Sequence, residues 1–475
     1  MEGASRSKLI ALVVASAFFM ENLDGTVIVI ALPTMAESLG TDTVALTIGV
    51  TSYLLTLAAL VPASGWIADR LGVRNVFCAA IGGFVFSSIL CGLSTGLWEF
   101  TGARILQGAS AALMSPVGRL AVLRTTSKRE LIQAIALITW PGLIAPVVGP
   151  PLGGFIASYG SWRWIFFLNV PIGLIGMVLV ARYVPDLRSD DRRPFDVTGF
   201  LLMALALGTM LFALEAAGHG DANWLLIMSV FGLGLAAGTL AIRHAGRKPN
   251  PLLDLSIFRI PTFSATALTG GSVFRLTSGA MPYLLPLFFQ IGFGLSAVSA
   301  GLLVLAYAAG NLGMKVVTTR ILRLFGFRRV LVFNGMLAAA SILACALLAP
   351  DTPEPLVMAV LFIAGCLRSM QLTCINTLMF ADVPDRQKSS ATTLSVMSHQ
   401  LSMSIGIAIG ALILSLSADI RGAAAGGLTV FDFRVAIVAM AALAAVSILR
   451  FVVMDPAAGA EVSGHARVKA ADKPS

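Results

Sequence analysis

The stretch GWIADRLGVR, residues 65–74, separates two apolar runs at 46–67 and 75–95. Each run supplies the roughly 20 mostly apolar residues that a helix needs to cross the hydrocarbon core of a membrane. A short charged loop between two such runs is typical of a chain that leaves the membrane and re-enters it at once. The stretch therefore predicts an all-α integral membrane fold.

The composition of the chain supports this prediction. Of the 475 residues, 57% are hydrophobic and 12% are charged, against roughly 25% charged residues in an average soluble domain. A soluble enzyme, a disordered scaffold and a nucleic-acid-binding protein are therefore disfavoured, although the net charge is +9. The five cysteines form no CxxC pair and the histidines are scattered, so neither a disulfide framework nor a metal site is indicated.

Apolar runs of this length recur about fourteen times, and the loops between them leave no room for a soluble domain. Their approximate limits are 10–33, 46–67, 75–95, 98–122, 133–157, 164–184, 197–217, 223–243, 263–291, 296–318, 329–349, 356–380, 389–417 and 434–454. Outside these spans, 24 lysines and arginines fall on the side of the N-terminus and three on the other side. By the positive-inside rule, both termini are predicted to lie in the cytoplasm.

The longest cytoplasmic connections, at about 185–196 and 244–262, bracket one helix pair and divide the chain. The first apolar run is too long for a signal peptide and carries acidic residues, so we interpret it as a retained helix. The predicted units are a cytoplasmic N-terminus (1–8), a six-helix bundle (9–195), two linking transmembrane helices (196–245), a second six-helix bundle (246–454) and a disordered cytoplasmic tail (455–475).

A weak internal repeat supports the division into two bundles. The stretch TRILRLFGFR lies 254 residues after GWIADRLGVR, at the same point of the second half. Gly326 and Arg328 align with Gly72 and Arg74. Two related helical bundles with a cavity between them are a common transporter plan.

Several stretches also resemble a known family. GWIADRLGVR resembles the signature between helices 2 and 3 of the major facilitator superfamily, and RILQGASAALMSP, from Arg104, resembles its helix-4 motif. GPPLGG (149–154) is similar to the helix-5 motif of its proton-coupled exporters. LDGTVIVIALP (23–33) and WRWIFFLNVPIG (162–173) resemble the fourteen-helix drug:proton antiporter subfamily, and QLSMSIGIAIG (400–410) is the clearest match in the second half.

The resemblance implies a gating motif in the first of these stretches, at Gly65, Asp69, Arg70, Gly72 and Arg74. An acid at the end of a helix can accept hydrogen bonds from a neighbouring helix N-terminus and form a charge latch that can be broken. The alternative is a solvated loop whose charges only stop the chain from entering the membrane.

The helix-5 motif contributes Gly149, Pro150, Gly153 and Gly154 within an apolar span. Glycine allows two helices to approach closely, and proline bends a helix. The motif is therefore either a pivot or seal between bundles or simple tight packing.

Glu21 and Asp24 lie near the middle of the first span, three residues apart and thus on nearly one helix face. A charge at this depth costs at least about 2.5–3.5 kcal/mol on insertion scales, so we expect a function. One interpretation is a site that holds and releases a proton, and the resemblance implies this role for Asp24. The alternative is a structural partner for Arg104. Gln107 lies on the same side of helix 4 as Arg104 and is expected to share its network.

The second half carries Arg275, Arg368, His399 and Gln400 inside its spans, with no acid at a similar depth. One hypothesis is a basic cavity wall that contacts an anionic group of the substrate. The alternative, held equal, is that the two arginines pair with Glu21 and Asp24 across the interface between the bundles.

The leading functional prediction is a proton-coupled exporter of small amphipathic organic compounds, of the multidrug-efflux type, in a bacterial inner membrane. The proton gradient supplies the energy and no cofactor is expected; the partners are the lipid bilayer, protons and a small organic substrate, with one chain as the working unit. The alternatives are an organic-anion or metabolite transporter that uses Arg275 and Arg368 and a membrane subunit that transports nothing. No nucleophile–base arrangement or ATP-binding loop supports an enzyme.

Overall fold

The computed structural model describes residues 2–41, 43–127, 130–188, 194–216, 224–249, 251–295, 297–421 and 428–465. Every regular element in these ranges is helical. Helices satisfy their own backbone hydrogen bonds, which is required of a chain that crosses hydrocarbon, where water is absent.

The helices before residue 190 form what we call the first half. They are α1 (Glu2–Ser38), α2 (Thr43–Leu60), α3 (Ser64–Leu71), α4 (Val73–Leu93), α5 (Leu97–Thr125), α6 (Leu131–Thr139), α7 (Pro141–Tyr159), α8 (Trp164–Phe167) and α9 (Asn169–Tyr183). A short 3-10 turn, Val61–Ala63, joins α2 to α3.

Two linking helices follow, α10 (Val197–Ala216) and α11 (Trp224–Arg247). The second half then comprises α12 (Pro261–Ala267), α13 (Gly270–Leu287), α14 (Ala297–Ala346), α15 (Glu354–Ala381), α16 (Lys388–Ile420), α17 (Val430–Val452) and α18 (Ala460–Ser463), with 3-10 turns at Leu255–Arg259 and Asp385–Gln387 and a π-helical turn at Phe288–Gly292.

Ten stretches of the described helices are long and apolar enough to cross a membrane. One of them, Ser299–Ala346, contains two of the spans predicted from the sequence. Three other predicted spans are not among the ten, for visible reasons. α5 carries several charged residues, the span at 133–157 is divided into α6 and α7, and the span at 263–291 is divided into α12 and α13.

The internal repeat has a structural counterpart in two helix breaks. Gly72 separates α3 from α4 with φ 93° and ψ 137°, and Gly326 breaks α14 with φ 74° and ψ 166°. A side chain is disfavoured at positive φ, so glycine is the residue that permits this turn. The aligned glycines therefore make the same kind of turn between consecutive membrane helices in each half.

Both ends of the described chain lie at the same end of the molecule. The hydroxyl of Ser7 donates a hydrogen bond to the carbonyl of Thr125, at the end of α5, over 3.1 Å. His465 Nδ1 lies 3.1 Å from the carbonyl oxygen of Arg323, and α18 contacts α6, which follows α5. We call this end the terminal face. Its assignment to the cytoplasm remains a prediction.

The predicted disordered tail, 455–475, is wrong for its first part. Residues 455–465 fold back on the second half and include the short helix α18. Val462 is buried, and the Cα of Gly459 packs closely against Phe327 and Leu378. The apolar residues that lie between the alanines and glycines of this segment pack against the second half. Residues 466–475 lie outside the described residues.

The linking helices are joined to the halves by a charge clamp at Asp196. This buried carboxylate accepts hydrogen bonds from Lys248 Nζ (2.7 Å) and from the backbone amides of Gly199 and Leu252, and it lies 2.9 Å from His244 Nε2. Burial alone would raise its pKa, but these hydrogen bonds together lower the pKa of Asp196 to about 2. The clamp holds the start of α10 to the end of α11.

Candidate functional site

Asp24 lies in the centre of a buried polar network in the first half. Its side chain and that of Arg104 are both 0% exposed, and Arg104 Nη1 donates to Asp24 Oδ2 over 2.6 Å. The other carboxylate oxygen, Oδ1, accepts from the amides of Gln107 (3.1 Å) and Asn169 (3.2 Å). Helices α5 and α9 thus bring three donors to one carboxylate on α1, which compensates part of the cost of burying its charge.

A second layer holds these donors in place. The hydroxyl of Ser88, on α4, accepts from Gln107 Nε2 over 2.9 Å and from Asn169 Nδ2 over 3.2 Å. The guanidinium of Arg104 lies over the ring of Tyr53, on α2, at 4.3 Å from its centroid. A cation over an aromatic face is stabilised when it is removed from water. Five helices therefore fix the position of one ion pair.

Glu21 belongs to a separate network, although it lies only one turn from Asp24. Its carboxylate accepts a 2.7 Å hydrogen bond from Ser115 and interacts electrostatically with Arg119. Glu21 is half-buried, whereas Asp24 is 2% exposed. The expectation of two acids that share one proton is therefore not met by the hydrogen bonds, because each carboxylate has its own partners.

Among the described residues, three hydrogen bonds join the two halves on the terminal side. Arg119 Nη1 donates to Ser395 Oγ over 3.0 Å, and Lys388 Nζ donates to the carbonyl of Leu123 over 3.0 Å. The third joins the hydroxyls of Ser64 and Thr393 at 3.2 Å. The molecule is thus closed on this side, and Arg119 connects the network of Glu21 to α16.

Gly65 allows this closure. A Cβ at Gly65 would lie 2.7 Å from Ser389 Oγ and 2.9 Å from Thr393 Oγ1. These distances are shorter than van der Waals contact, so a larger residue would hold α3 and α16 apart. Gly65 belongs to the predicted gating motif, and its position at the interface agrees with that prediction.

The remaining gating residues lie beside this contact. Asp69 pairs with Arg124, at the end of α5, over 2.6 Å, and not with a helix N-terminus as the sequence suggested. Arg70 lies over the ring of Trp66 at 5.5 Å, and Arg74 is half-buried at the start of α4. Asp69 and Arg124 therefore form an ion pair between α3 and α5, and its role as a latch that can be broken stays a prediction.

The glycines of the helix-5 motif pack α7 directly on α1. A Cβ at Gly153 would lie 2.9 Å from the carbonyl oxygen of Val27, and one at Gly149 would lie 3.0 Å from Thr26 Cβ. Pro150 and Gly154 belong to the same helix. The motif contacts α1 at Thr26 and Val27, two and three residues after Asp24.

The second half holds its buried cations with neutral partners. Arg275 is 1% exposed and donates to the carbonyl of Thr266 (2.8 Å) and to Asn376 Oδ1 (2.9 Å). Arg368 is half-buried and donates to the hydroxyl of Ser278 over 2.6 Å and to its carbonyl over 3.1 Å. The alternative in which these arginines pair with Glu21 and Asp24 is therefore wrong in this conformation.

His399 and Gln400 lie half-buried on α16. His399 interacts electrostatically with Arg275 and Arg368 and also with Arg119 of the first half. His399 lies one turn after Ser395, which bonds to Arg119 of the first half. The roles of His399 and Gln400 in a substrate cavity stay predictions.

Sequence reasoning missed several residues of these networks. Asn169 and Ser88 are neutral, and only the position of Asn169 inside the quoted stretch WRWIFFLNVPIG could have drawn attention to it. Lys315 and Arg119 also lie inside predicted spans, but the sequence gives neither of them a role. Lys315 lies on α14 and donates to Thr373 Oγ1 over 2.7 Å. A charge inside an apolar run was the available signal for both.

Comparison with known proteins identifies the fold. The family model described as Major Facilitator Superfamily matches residues 14–407. The chain belongs to the Major Facilitator Superfamily. It is therefore a multi-pass membrane transporter and not an enzyme.

Among this family's curated members, the putative multidrug resistance protein MdtD of Escherichia coli O6:H1 is 40% identical over 407 residues, which covers 85% of each chain. The protein of the same name from Salmonella heidelberg is 41% identical over 408 residues, covering 85% of this chain and 86% of the relative.

Two solved structures of the Major Facilitator Superfamily share the fold at low sequence identity. The human organic anion transporter MFSD10 superposes with a TM-score of 0.64 at 14% identity, covering 94% of this chain and 99% of the other. The proton:xylose symporter XylE superposes with a TM-score of 0.61 at 16% identity, covering 94% and 96%. The likeness extends over both halves, so the fold is that of the superfamily throughout.

Proposed function

We propose that this chain is a proton-coupled transporter that exports small amphipathic organic compounds by alternating access, as a multidrug-efflux protein does. The observation that carries the proposal is the fully buried ion pair between Asp24 and Arg104. The relatives named as putative multidrug resistance proteins support the direction and the type of substrate. The proton gradient is the only energy source that the proposal needs, and no cofactor enters it.

The ion pair is suited to sense a proton because its stability in the buried site depends on the negative charge of Asp24. Removing two charges from water costs several kcal/mol per ion, which the pair and its hydrogen bonds offset only while both charges are present. Protonation of Asp24 removes the acceptor charge and leaves Arg104 with Gln107 and the face of Tyr53. Protonation therefore changes which arrangement of α1 and α5 has the lower free energy.

A change at Asp24 reaches the rest of the molecule through two connections. α1 packs on α7 at Gly149 and Gly153, so the two helices move together. Glu21, one turn away, interacts with Arg119, which is bonded to Ser395 in the second half. Opening of the terminal face requires that the bond of Arg119 and its two neighbouring contacts between the halves break. The proposal assigns proton coupling to Asp24 and control of this contact to Glu21.

The proposal places the terminal face and both termini in the cytoplasm of a bacterium, with the chain in the inner membrane. Basic residues on that face support this orientation. One chain supplies all the residues used, so the mechanism requires no oligomer.

The test uses purified protein in liposomes whose interior is acidic, with two dyes that share a xanthene core as probes: cationic rhodamine 6G and anionic sulforhodamine B. We expect accumulation of at least one dye, driven by exit of protons. In Asp24→Asn, accumulation driven by the gradient should fall about tenfold or more, because coupling is lost. Exchange of dye without a gradient should persist, because the altered residue still permits the protein to change conformation.

The matched control is Asp382→Asn, which removes an exposed acid at the end of α15 and should leave transport unaltered. Gradient-driven accumulation that survives Asp24→Asn would contradict the role of Asp24. A wild-type protein that moves neither dye in response to the gradient would contradict the proposed function.

A further inference from the structure

The second half carries buried positive charge that its own acids do not balance. Arg275, Lys315 and Arg368 lie inside α13, α14 and α15, and each falls within an apolar span predicted from the sequence. In the amino-acid sequence of the second-half spans, the acids are confined to the helix ends: Glu354, Asp419 and Asp432. A mid-membrane cation without a counter-charge is costly, so such residues are a functional signal.

The three cations form one group, which we call the basic cluster (Arg275, Lys315 and Arg368). Lys315 and Arg368 interact electrostatically with each other. His399, on α16, interacts electrostatically with both Arg275 and Arg368. Arg275 and His399 also interact electrostatically with Arg119 of the first half.

The hydrogen bonds of the cluster leave its charge unneutralised. Arg275, Lys315 and Arg368 donate to carbonyl, amide and hydroxyl oxygens. Among the described residues, no carboxylate lies within ion-pair distance of these cations, and Arg275 Nε is buried without a hydrogen-bond partner. Neutral oxygens hold the side chains in position but do not remove the net positive potential.

Arg368 also borders a narrow pocket with an apolar wall. The pocket is lined by Phe274, Met281, Tyr307 and Ile342 in addition to Ser278 and Arg368. The guanidinium lies over the ring of Tyr307 at 5.7 Å. In this conformation, with a volume of about 10 Å³, the pocket accepts at most a single water-sized group. A charged group beside aromatic and aliphatic side chains is typical of a site for an amphipathic molecule.

The buried cations of the first half differ from the basic cluster because they lie beside acids. There, Arg104 is bonded to Asp24 and Arg119 interacts with Glu21. The chain therefore supplies counter-charges where it needs buried cations for its own structure. In the second half no such counter-charge pairs with the basic cluster among the described residues, and Arg368 and Lys315 are each partly exposed.

We infer that the transported compounds are amphipathic organic anions, whose carboxylate, sulfonate or phosphate group binds the basic cluster. Contact of the apolar part with Phe274, Met281 and Tyr307 requires the narrow pocket to widen when the protein changes conformation. This inference rests on the proposed export function and gives it a substrate class. Arg368 is the main contact, because it is both accessible and held by Ser278 with donors left over.

The test compares the two xanthene dyes in the same liposomes. Wild type should accumulate sulforhodamine B in preference to rhodamine 6G. Arg368→Gln should lower accumulation of sulforhodamine B about tenfold or more, the loss expected for one charged hydrogen-bonded contact. Arg368→Lys, which keeps the charge, should recover part of it. Rhodamine 6G transport, where measurable, should not fall, and Lys315→Gln should show the same pattern with a smaller loss.

The matched control is Arg320→Gln, which removes an exposed arginine five residues from Lys315 on α14; it should change neither dye. Wild type that accumulates only rhodamine 6G would overturn the anion inference and leave the proposed function standing. So would an Arg368→Gln protein that handles sulforhodamine B as wild type does, or one that loses both dyes equally without recovery in Arg368→Lys. Accumulation of neither dye would overturn both proposals.

Discussion

The two halves of the molecule differ in how they hold buried charge inside their helices, away from the pair of Asp432 with Arg421 at a helix end. In the first half, Asp24 accepts from Arg104, Gln107 and Asn169, and both charged side chains are removed from solvent. In the second half, Arg275 and Arg368 are held by neutral oxygens. The same helical fold thus contains a balanced pair and an unbalanced group.

The difference separates two roles that a transporter needs. A balanced pair responds to a proton, because one protonation changes its net charge from zero to positive. An unbalanced group responds to a ligand, because an anion brings its net charge towards zero. Substitutions at the two places are therefore expected to have different signs and sizes.

The largest effect is expected for Arg104→Gln. This change leaves Asp24 ionised in a buried site with only two amide donors, and breaking a buried pair in this way costs about 3–5 kcal/mol. Thermal unfolding in detergent, followed by tryptophan fluorescence, should show a clearly lower Tm.

The double variant Asp24→Asn with Arg104→Gln is the matched control for that prediction. It removes both charges, so it should recover most of the lost stability while remaining uncoupled. If Arg104→Gln alone were as stable as wild type, Arg104 would not be needed to offset the buried charge of Asp24.

An intermediate effect is expected for Asp196→Asn, because this acid is balanced by Lys248 and His244 at the membrane boundary. Its pKa is lowered from 3.8 to about 2, which corresponds to a stabilisation of about 2 kcal/mol. Because the pKa is lower in the folded state, Asp196 contributes its full stabilisation above the pKa of the unfolded state. This stabilisation is lost as the pH falls through the pKa of the folded state. The Tm difference from wild type should therefore be constant from neutral pH to about 4 and should shrink below it.

A difference in Tm that grew as pH fell would contradict the assignment of Asp196. Asp382→Asn, at an exposed site, serves again as the control and should show no such difference at any pH.

The smallest effect on stability is expected for Lys315→Met. The change removes an unbalanced charge and keeps an unbranched side chain that is one atom shorter, at the cost of one hydrogen bond to Thr373. Removal of the buried charge stabilises the protein and loss of the hydrogen bond destabilises it. The free energy of unfolding should therefore change by less than about 1 kcal/mol in either direction. A loss as large as that of Arg104→Gln would mean that Lys315 has a counter-charge and would remove the contrast between the halves.

Much of the fold could be predicted from the apolar runs, because a helix in hydrocarbon has few alternatives. The turn at Gly72 and its counterpart at Gly326 were visible as a repeat, and both residues have positive φ. The folded segment after residue 455 could not be predicted. Its alanines and glycines have no strong pattern, and Val462 is buried by residues distant in sequence.

The site was predicted unevenly. Asp24, Arg104 and Gln107 were identified, since charged and amide side chains stand out in apolar runs, and the structure brings them together. Glu21 was grouped with Asp24 because helix periodicity places them on one face. Periodicity does not tell which side chains of other helices they meet, and Ser115 and Asn169 separate the two carboxylates into different networks.

The sequence by itself determined that this is a helical membrane protein and which charges lie inside its spans, because the cost of polar groups in hydrocarbon leaves a pattern that is local in the chain. Only the tertiary structure decided the partners: Asp24 with Arg104, Arg119 with Ser395, and the cations of the second half with neutral oxygens. Pairing between side chains on different helices depends on helix rotation and approach, and these are set by packing contacts such as Gly153 on Val27, which link residues far apart in the chain.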